Sequence, residues 1–314
     1  MKDESLPFRL FISLVLIFGG IFAYIGAHFF NVWRIEKANA YLTPAALDTH
    51  VALGDKSVDL WKRAALLWPE NRKLPIQIAD ALYAGSSYED AINWYEMAPE
   101  SEYALGRVTS SYLRLGRVEA AEKNLKLLIE KFPSLDTYIL AAKFHNEQGM
   151  LKEAGEDLKQ AKSYGLLNQE PEMWQTIFGA GKDPKASLEQ ANNLSIPQAD
   201  FLKKSLKNIT GSADPVYRQL EYGKLYRHYE LPTSAGKALA AAEKIDADSK
   251  EVRLFKAELM VENGSYKNAY EELLKLASFD PTDPRILKLT QTVETKLSVQ
   301  DSKNKLRLDD ILAL

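Results

Sequence analysis

The stretch FGAGKDP at 178–184 joins a Gly-Lys pair to small residues, the composition of a loop that cradles phosphate. Such a loop needs a glycine five positions before the Gly-Lys and a Ser or Thr after it. Those positions hold Thr176 and Asp183, and the segment follows a helical pattern with no strand before it. It reads as a turn. Histidine is the next residue type able to do chemistry, and the chain has His28, His50, His145 and His228. No two stand three or four positions apart, the spacing at which imidazoles on one helix share a metal ion. His28 lies in an apolar run, and His145 occupies an inward helical position where packing is expected. There is no Gly-x-Ser-x-Gly elbow to expose a serine nucleophile. Cysteine is absent, which excludes disulfides, thiolate metal sites and cysteine nucleophiles. The expectation is a chain that is not an enzyme and takes no metal and no cofactor.

Two polar patterns remain. Lys224 and Arg227 stand three apart on one helical face and could receive an acidic group, although a solvated surface gives the same pattern. Asn208-Ile209-Thr210 and Asn263-Gly264-Ser265 are glycosylation-type triplets, relevant only in a eukaryotic secretory compartment. The second is equally explained as a turn. The charge balance, 40 basic against 43 acidic residues over 314, lacks the clustered basic excess that nucleic acid binding needs.

The elements that would carry such residues are set by a repeat. In GRVEAAEKNLKLLIEKFP, Gly116, Val118, Ala121, Leu125, Leu128 and Pro133 have the same offsets as Gly264, Tyr266, Ala269, Leu273, Leu276 and Pro281 in GSYKNAYEELLKLASFDP. The same pattern recurs around Ala91, Ala154 and Ala235. Ala91, Ala121 and Ala154 are 30 and 33 residues apart, and Ala235 and Ala269 are 34 apart. A period in the thirties means stacked helix pairs. Offsets of three and four put the alanine and the leucines on one helical face. A small residue there lets the partner helix approach, the glycine closes the preceding helix in a left-handed conformation, and the proline begins the next unit. These positions resemble the tetratricopeptide repeat (TPR) family, best in Ala257, Met260, Gly264, Tyr266, Ala269, Leu273, Leu276 and Pro281. The next best unit is Thr109, Tyr112, Gly116, Val118, Ala121, Leu125, Leu128 and Pro133. The family's early tryptophan is missing from the first helices.

Residues 10–33, LFISLVLIFGGIFAYIGAHFFNVW, contain no Lys, Arg, Asp or Glu. At about 1.5 Å per residue they are long enough to cross a hydrocarbon core of about 30 Å. Tyr24, Phe29, Phe30 and Trp33, followed by Arg34 and Lys37, resemble an interfacial belt. A cleaved signal peptide is the competing reading, but the apolar run is long and Ala38-Asn39-Ala40 lies beyond charged residues. The expected class is all-α: a single transmembrane helix followed by a TPR-like helical-repeat solenoid. The expected order is a tail at 1–9, the membrane helix at 10–33, a first block at 34–165 and an irregular helical joint at 166–213. A second block with a capping helix follows at 214–300, then a mobile tail at 301–314. The N-terminus is expected in the cytoplasm and the repeat domain outside the cell membrane.

The first helices of such a stack line a concave wall that binds peptides or helices. On this chain the wall would include Tyr103, Ser110 and Leu113, then Asp136, Ile139, Lys143 and Asn146, then Tyr217, Leu220, Lys224 and Arg227, and last Glu251, Leu254 and Glu258. The residues holding the repeats together would be Ala91, Ala121, Ala154, Ala235 and Ala269, with Gly116, Gly264, Pro133 and Pro281. The expected function is a membrane-anchored adaptor. It would bind one or more membrane or envelope proteins and support assembly or stability of their complex. The alternative is an envelope holdase for exported chains. The lipid bilayer, through residues 10–33, is the other expected partner.

Overall fold

The computed structural model describes residues 23–40, 55–165 and 168–312, and among these every regular element is helical. The chain forms two compact units, residues 1–85 and 86–314.

In the first unit a helix over residues 23–40 (α1) is followed by α2 (Asp55–Leu67) and α3 (Leu74–Ala84). A small core of Ala38, Ala64 and Leu74, with Trp68 against it, holds the lower end of α1 in place. Arg34 adds a charged tie, its Nη2 donating to Glu70 Oε1 at 2.7 Å and holding that carboxyl below its usual pKa. Residues 23–33 are exposed all round, including Tyr24, Phe29, Phe30 and Trp33. Among the described residues no helix is long and apolar enough to cross a membrane. Residues 10–22 of the expected span, and the tail at 1–9, lie outside the described residues.

The second unit is built from hairpins of two antiparallel helices. After α4 (Tyr88–Met97) come α5 (Glu102–Arg114) with α6 (Val118–Lys131), and α7 (Leu135–Glu147) with α8 (Leu151–Tyr164). Farther on, α12 (Pro215–His228) pairs with α13 (Pro232–Asp246), and α14 (Lys250–Glu262) with α15 (Tyr266–Phe279). The repeat alanines Ala91, Ala121, Ala154, Ala235 and Ala269 are all buried where helices meet. Pro133 follows α6, and Ser134 after it caps α7 by accepting from Thr137 N at 3.1 Å. Pro281 stands in the same place after α15.

The turns share one device. Gly116, Gly149 and Gly264 have φ of 69°, 77° and 72°, left-handed values that glycine adopts without strain. The next amide reaches back across the helix end, as in Arg117 N to Tyr112 O at 2.9 Å and Ser265 N to Met260 O at 2.8 Å. Two equivalent positions have no glycine. Ser86 precedes α4 with φ 60°, and Glu230 precedes α13 with φ 59°. The Glu230 turn keeps the same bond, Leu231 N to Tyr226 O at 2.8 Å. The backbone geometry therefore persists where the residue type departs.

Between the regular hairpins lie α9 (Glu170–Gly179), α10 (Pro184–Asn192), a 3-10 turn at Pro197–Ala199 and α11 (Asp200–Gly211). Met173, Trp174, Ile177, Leu202, Leu206 and Ile209 from this segment share one core with Ile139 and Leu158 before it and Leu225 and Leu231 after it. The irregular segment is thus welded to both neighbours. FGAGKDP runs from the end of α9 into α10: Asp183 Oδ1 accepts from Lys185 N and Ala186 N at 3.1 and 3.0 Å and caps α10. The last helix, α16 (Pro284–Leu312), buries Ile286 and Val293 against α15. It runs on through the segment 301–312 that was expected to form a tail.

Candidate protein-binding groove

The N-terminal halves of α5 and α7 stand side by side and leave a cleft of about 480 Å³ between them. Tyr103, Gly106, Arg107 and Ser110 line it from α5, and Asp136 and Leu140 from α7. Local capping fixes both walls. Ser101 Oγ accepts from Ala104 N at 3.2 Å, and Glu102 receives the hydroxyls of Ser134 and Thr137. Glycine at 106 keeps the floor low, since a Cβ there would meet only Leu140 Cδ2, at 3.7 Å. Tyr103 is 46% exposed, with the Arg107 guanidinium 5.4 Å from its ring centre and Arg107 Nε donating to its hydroxyl at 3.3 Å. Ser110 turns its hydroxyl to Gly106 O at 3.0 Å. An aromatic wall, a glycine floor and both signs of charge suit an apolar side chain on a peptide with polar flanks.

The C-terminal half of α7 is engaged with the turn before α13, and the C-terminal ends of α12 and α14 with each other. Lys143 Nζ lies 3.6 Å from the Glu230 carboxylate and 4.9 Å from the centre of the Trp174 ring. Burial pushes the Lys143 ammonium below its usual pKa, and the Glu230 carboxylate opposes that shift. Arg227 pairs with both Glu258 and Glu262, and burial raises the Glu262 carboxyl above its usual value. Tyr88, from the start of the unit, donates its hydroxyl to Glu262 O at 3.1 Å.

Glu147 ties α7 to the start of α13. It is 5% exposed and accepts from Thr233 N, from Ser234 N at 3.2 Å and from Ser234 Oγ at 2.6 Å. Leu231 and Pro232 supply no side-chain cap to α13, so a carboxylate 87 residues away in sequence does it. Its negative charge meets the positive end of the helix dipole.

The residues expected on one groove wall thus fall into separate places. Tyr103 and Ser110 share the open cleft. Lys143 and Arg227 are committed to internal ion pairs, and Asn146 is half-buried beside them. Tyr217 and Lys224 form a separate exposed edge. Lys224 Nζ lies 6.0 Å from the Tyr217 ring centre and pairs with Glu221 at 2.8 Å. Ile139, Leu220 and Leu254 belong to the core. His145 pairs with Asp157, and His228 stacks on Phe201 at 3.8 Å. Sequence reasoning missed Arg107, Gly106 and Glu147. Ser101 and Ser134, as helix-capping residues three before an amide they serve, were the available signal for where the cleft walls begin.

No family model matches the chain, and no curated protein matches it. Among solved structures it is similar to a tetratricopeptide repeat protein from Parabacteroides merdae, with 13% identity, 82% of this chain and 99% of that chain covered and a TM-score of 0.44. It is also similar to a thermophilic TPR protein of Thermus thermophilus, at 22% identity, with 72% and 98% covered and a TM-score of 0.25.

Proposed function

We propose that this protein is a membrane-tethered adaptor. Its helical-repeat unit binds a segment of a partner protein in the cleft between α5 and α7. The observation that carries the reading is that cleft, open beside a set of first-helix ends that are otherwise tied to one another. The tether rests on residues 10–33, which carry no charge, and on the aromatic residues exposed around α1 directly above the Arg34–Glu70 tie. One anchored helix with the repeat unit outside the cell membrane confines the cleft to the bilayer surface and raises the encounter rate with membrane or envelope proteins without added contacts. Support of a membrane or envelope complex follows as the role.

The test is affinity capture of the full chain from detergent extracts. Gly106→Phe fills the cleft floor, whereas Gly106→Ala leaves it open and favours α5. Capture of a defined, stoichiometric partner by the native chain and by Gly106→Ala, with loss for Gly106→Phe, is the expected result. Equal capture by both variants, or weak capture of many unrelated chains as a holdase would give, overturns it. Extraction of intact membranes at high pH reads the tether separately, and release of the protein into the aqueous fraction would sink that part.

A further inference from the structure

A second groove lies between α8 and α9, away from the first-helix cleft. It has a volume of about 490 Å³ and is lined at residues 151, 154–155, 158–159 and 162 along α8. Along α9 and the turn after it, the lining falls at 171–172, 175, 178–179 and 182. The α8 series advances by three and four over three helical turns, roughly 16 Å at 1.5 Å per residue, and the α9 series does so over about two turns before Lys182 in the turn beyond. That is the shape of a seat for a third helix. The floor is apolar, from Leu151, Leu158, Pro171 and Phe178. Gly155 deepens it, since a Cβ there would touch nothing within 4 Å.

The rim carries three lysines against one carboxylate, Glu172. Lys159 and Lys162 stand along α8 and Lys182 beyond α9. Lys159 pairs with Glu156 and Lys162 with Glu172, both at exposed sites. Such exposed pairs are worth about 0–1 kcal/mol and exchange readily with an incoming carboxylate. Leu151, at the mouth, is 49% exposed.

We propose that this groove is a docking site for an acidic amphipathic helix of a partner protein, about three turns long. Its apolar stripe would lie on the floor and its carboxylates against the three lysines. Helix-in-groove recognition reads apolar anchors at i, i+3 or i+4 and i+7, the spacing the lining residues show. The charge arrangement chooses the acidic helix over a basic one.

The test is fluorescence anisotropy with the full chain in a neutral detergent. The probe is a labelled synthetic helix of roughly fourteen residues, with leucines at i, i+3, i+4 and i+7 and glutamates elsewhere. The control peptide carries lysine in place of each glutamate. Saturable binding of the acidic helix, about tenfold tighter than the basic one and weakened by salt, is expected. Gly155→Leu fills the floor while improving helix propensity, so circular dichroism should stay native as binding falls by about tenfold or more. Lys182→Glu should weaken binding by about threefold to tenfold and flatten the salt dependence. Gly106→Phe should leave this binding unchanged, which separates it from the cleft between α5 and α7. Equal binding of the acidic and basic helices, or undiminished binding by Gly155→Leu, or no binding of the acidic helix, overturns the proposal.

Discussion

The two ends of the first helices differ sharply. At their N-terminal halves, α5 and α7 stand apart and leave Tyr103, Arg107 and Asp136 around a cleft. At their C-terminal ends, α7, α12 and α14 are joined by Lys143–Glu230, by Arg227 with Glu258 and Glu262, and by Glu147 on α13. Only α7 takes part in both, with its N-terminal half at the cleft and its C-terminal half at the ion pair and the α13 cap. Between the earlier and the later hairpins lies the irregular segment α9 to α11, which shares one core with both. A repeat surface is therefore not uniform: one half is left open and the other is tied by ion pairs.

The largest effect should come from the lock. Glu147→Ala leaves the amides of Thr233 and Ser234 without their acceptor and should cost about 2–3 kcal/mol in urea unfolding. Glu147→Gln, which still accepts, should cost clearly less. A loss below about 0.5 kcal/mol for the alanine variant would mean that the link is incidental.

Next comes the turn at Glu230, where a left-handed backbone is tolerated by a residue that also faces Lys143. Relief of that backbone by glycine is worth about 1 kcal/mol. In the native background Glu230→Gly should nevertheless lose up to about 1 kcal/mol, because a largely buried lysine loses its partner. In a Lys143→Met background the same change should gain about 1 kcal/mol, since only backbone relief remains. Equal effects in both backgrounds would show that the two side chains are not coupled.

A pH series reads the same lock more gently. Lys143 faces Glu230, Glu147 and Arg114, and its ammonium is held below the usual lysine value, chiefly by burial. Between that lowered pKa and the unfolded value of 10.5, the unfolded chain binds more protons than the folded one. Stability from this group should therefore rise as pH rises through that window. Lys143→Met should remove the rise, and an unchanged slope in the variant would assign it to another group. The smallest effect is expected in the open half: Arg107→Ala should move unfolding by no more than about 0.5 kcal/mol while weakening partner capture.

Much of the framework could be read from residue types. The glycines at 116, 149 and 264 and the buried alanines mark turns and crossings because only small or permissive residues fit there. Ser86 and Glu230 were not legible as turn residues, since the sequence shows composition and not the strain a backbone is made to accept. The groove was half legible. Helical periodicity put Tyr103, Lys143 and Arg227 on one wall, and it could not tell an open stretch from one covered by a later hairpin. Glu147 was invisible for the same reason, because its partners lie 86 and 87 residues onward. The second groove, between α8 and α9, needed Gly155 and Gly179 to be seen as missing side chains at a junction of two hairpins, which no single-helix pattern reports.

The bond from Glu147 to Ser234 also sets an order of events during translation. At roughly 5–20 residues per second, a ribosome needs about 4–17 s to add the intervening chain. Throughout that interval α7 has emerged with its acid still facing water and Lys143 still lacking Glu230. The early hairpins must wait for the late ones, so a nascent chain truncated before α13 should stay open to proteases that the finished unit resists.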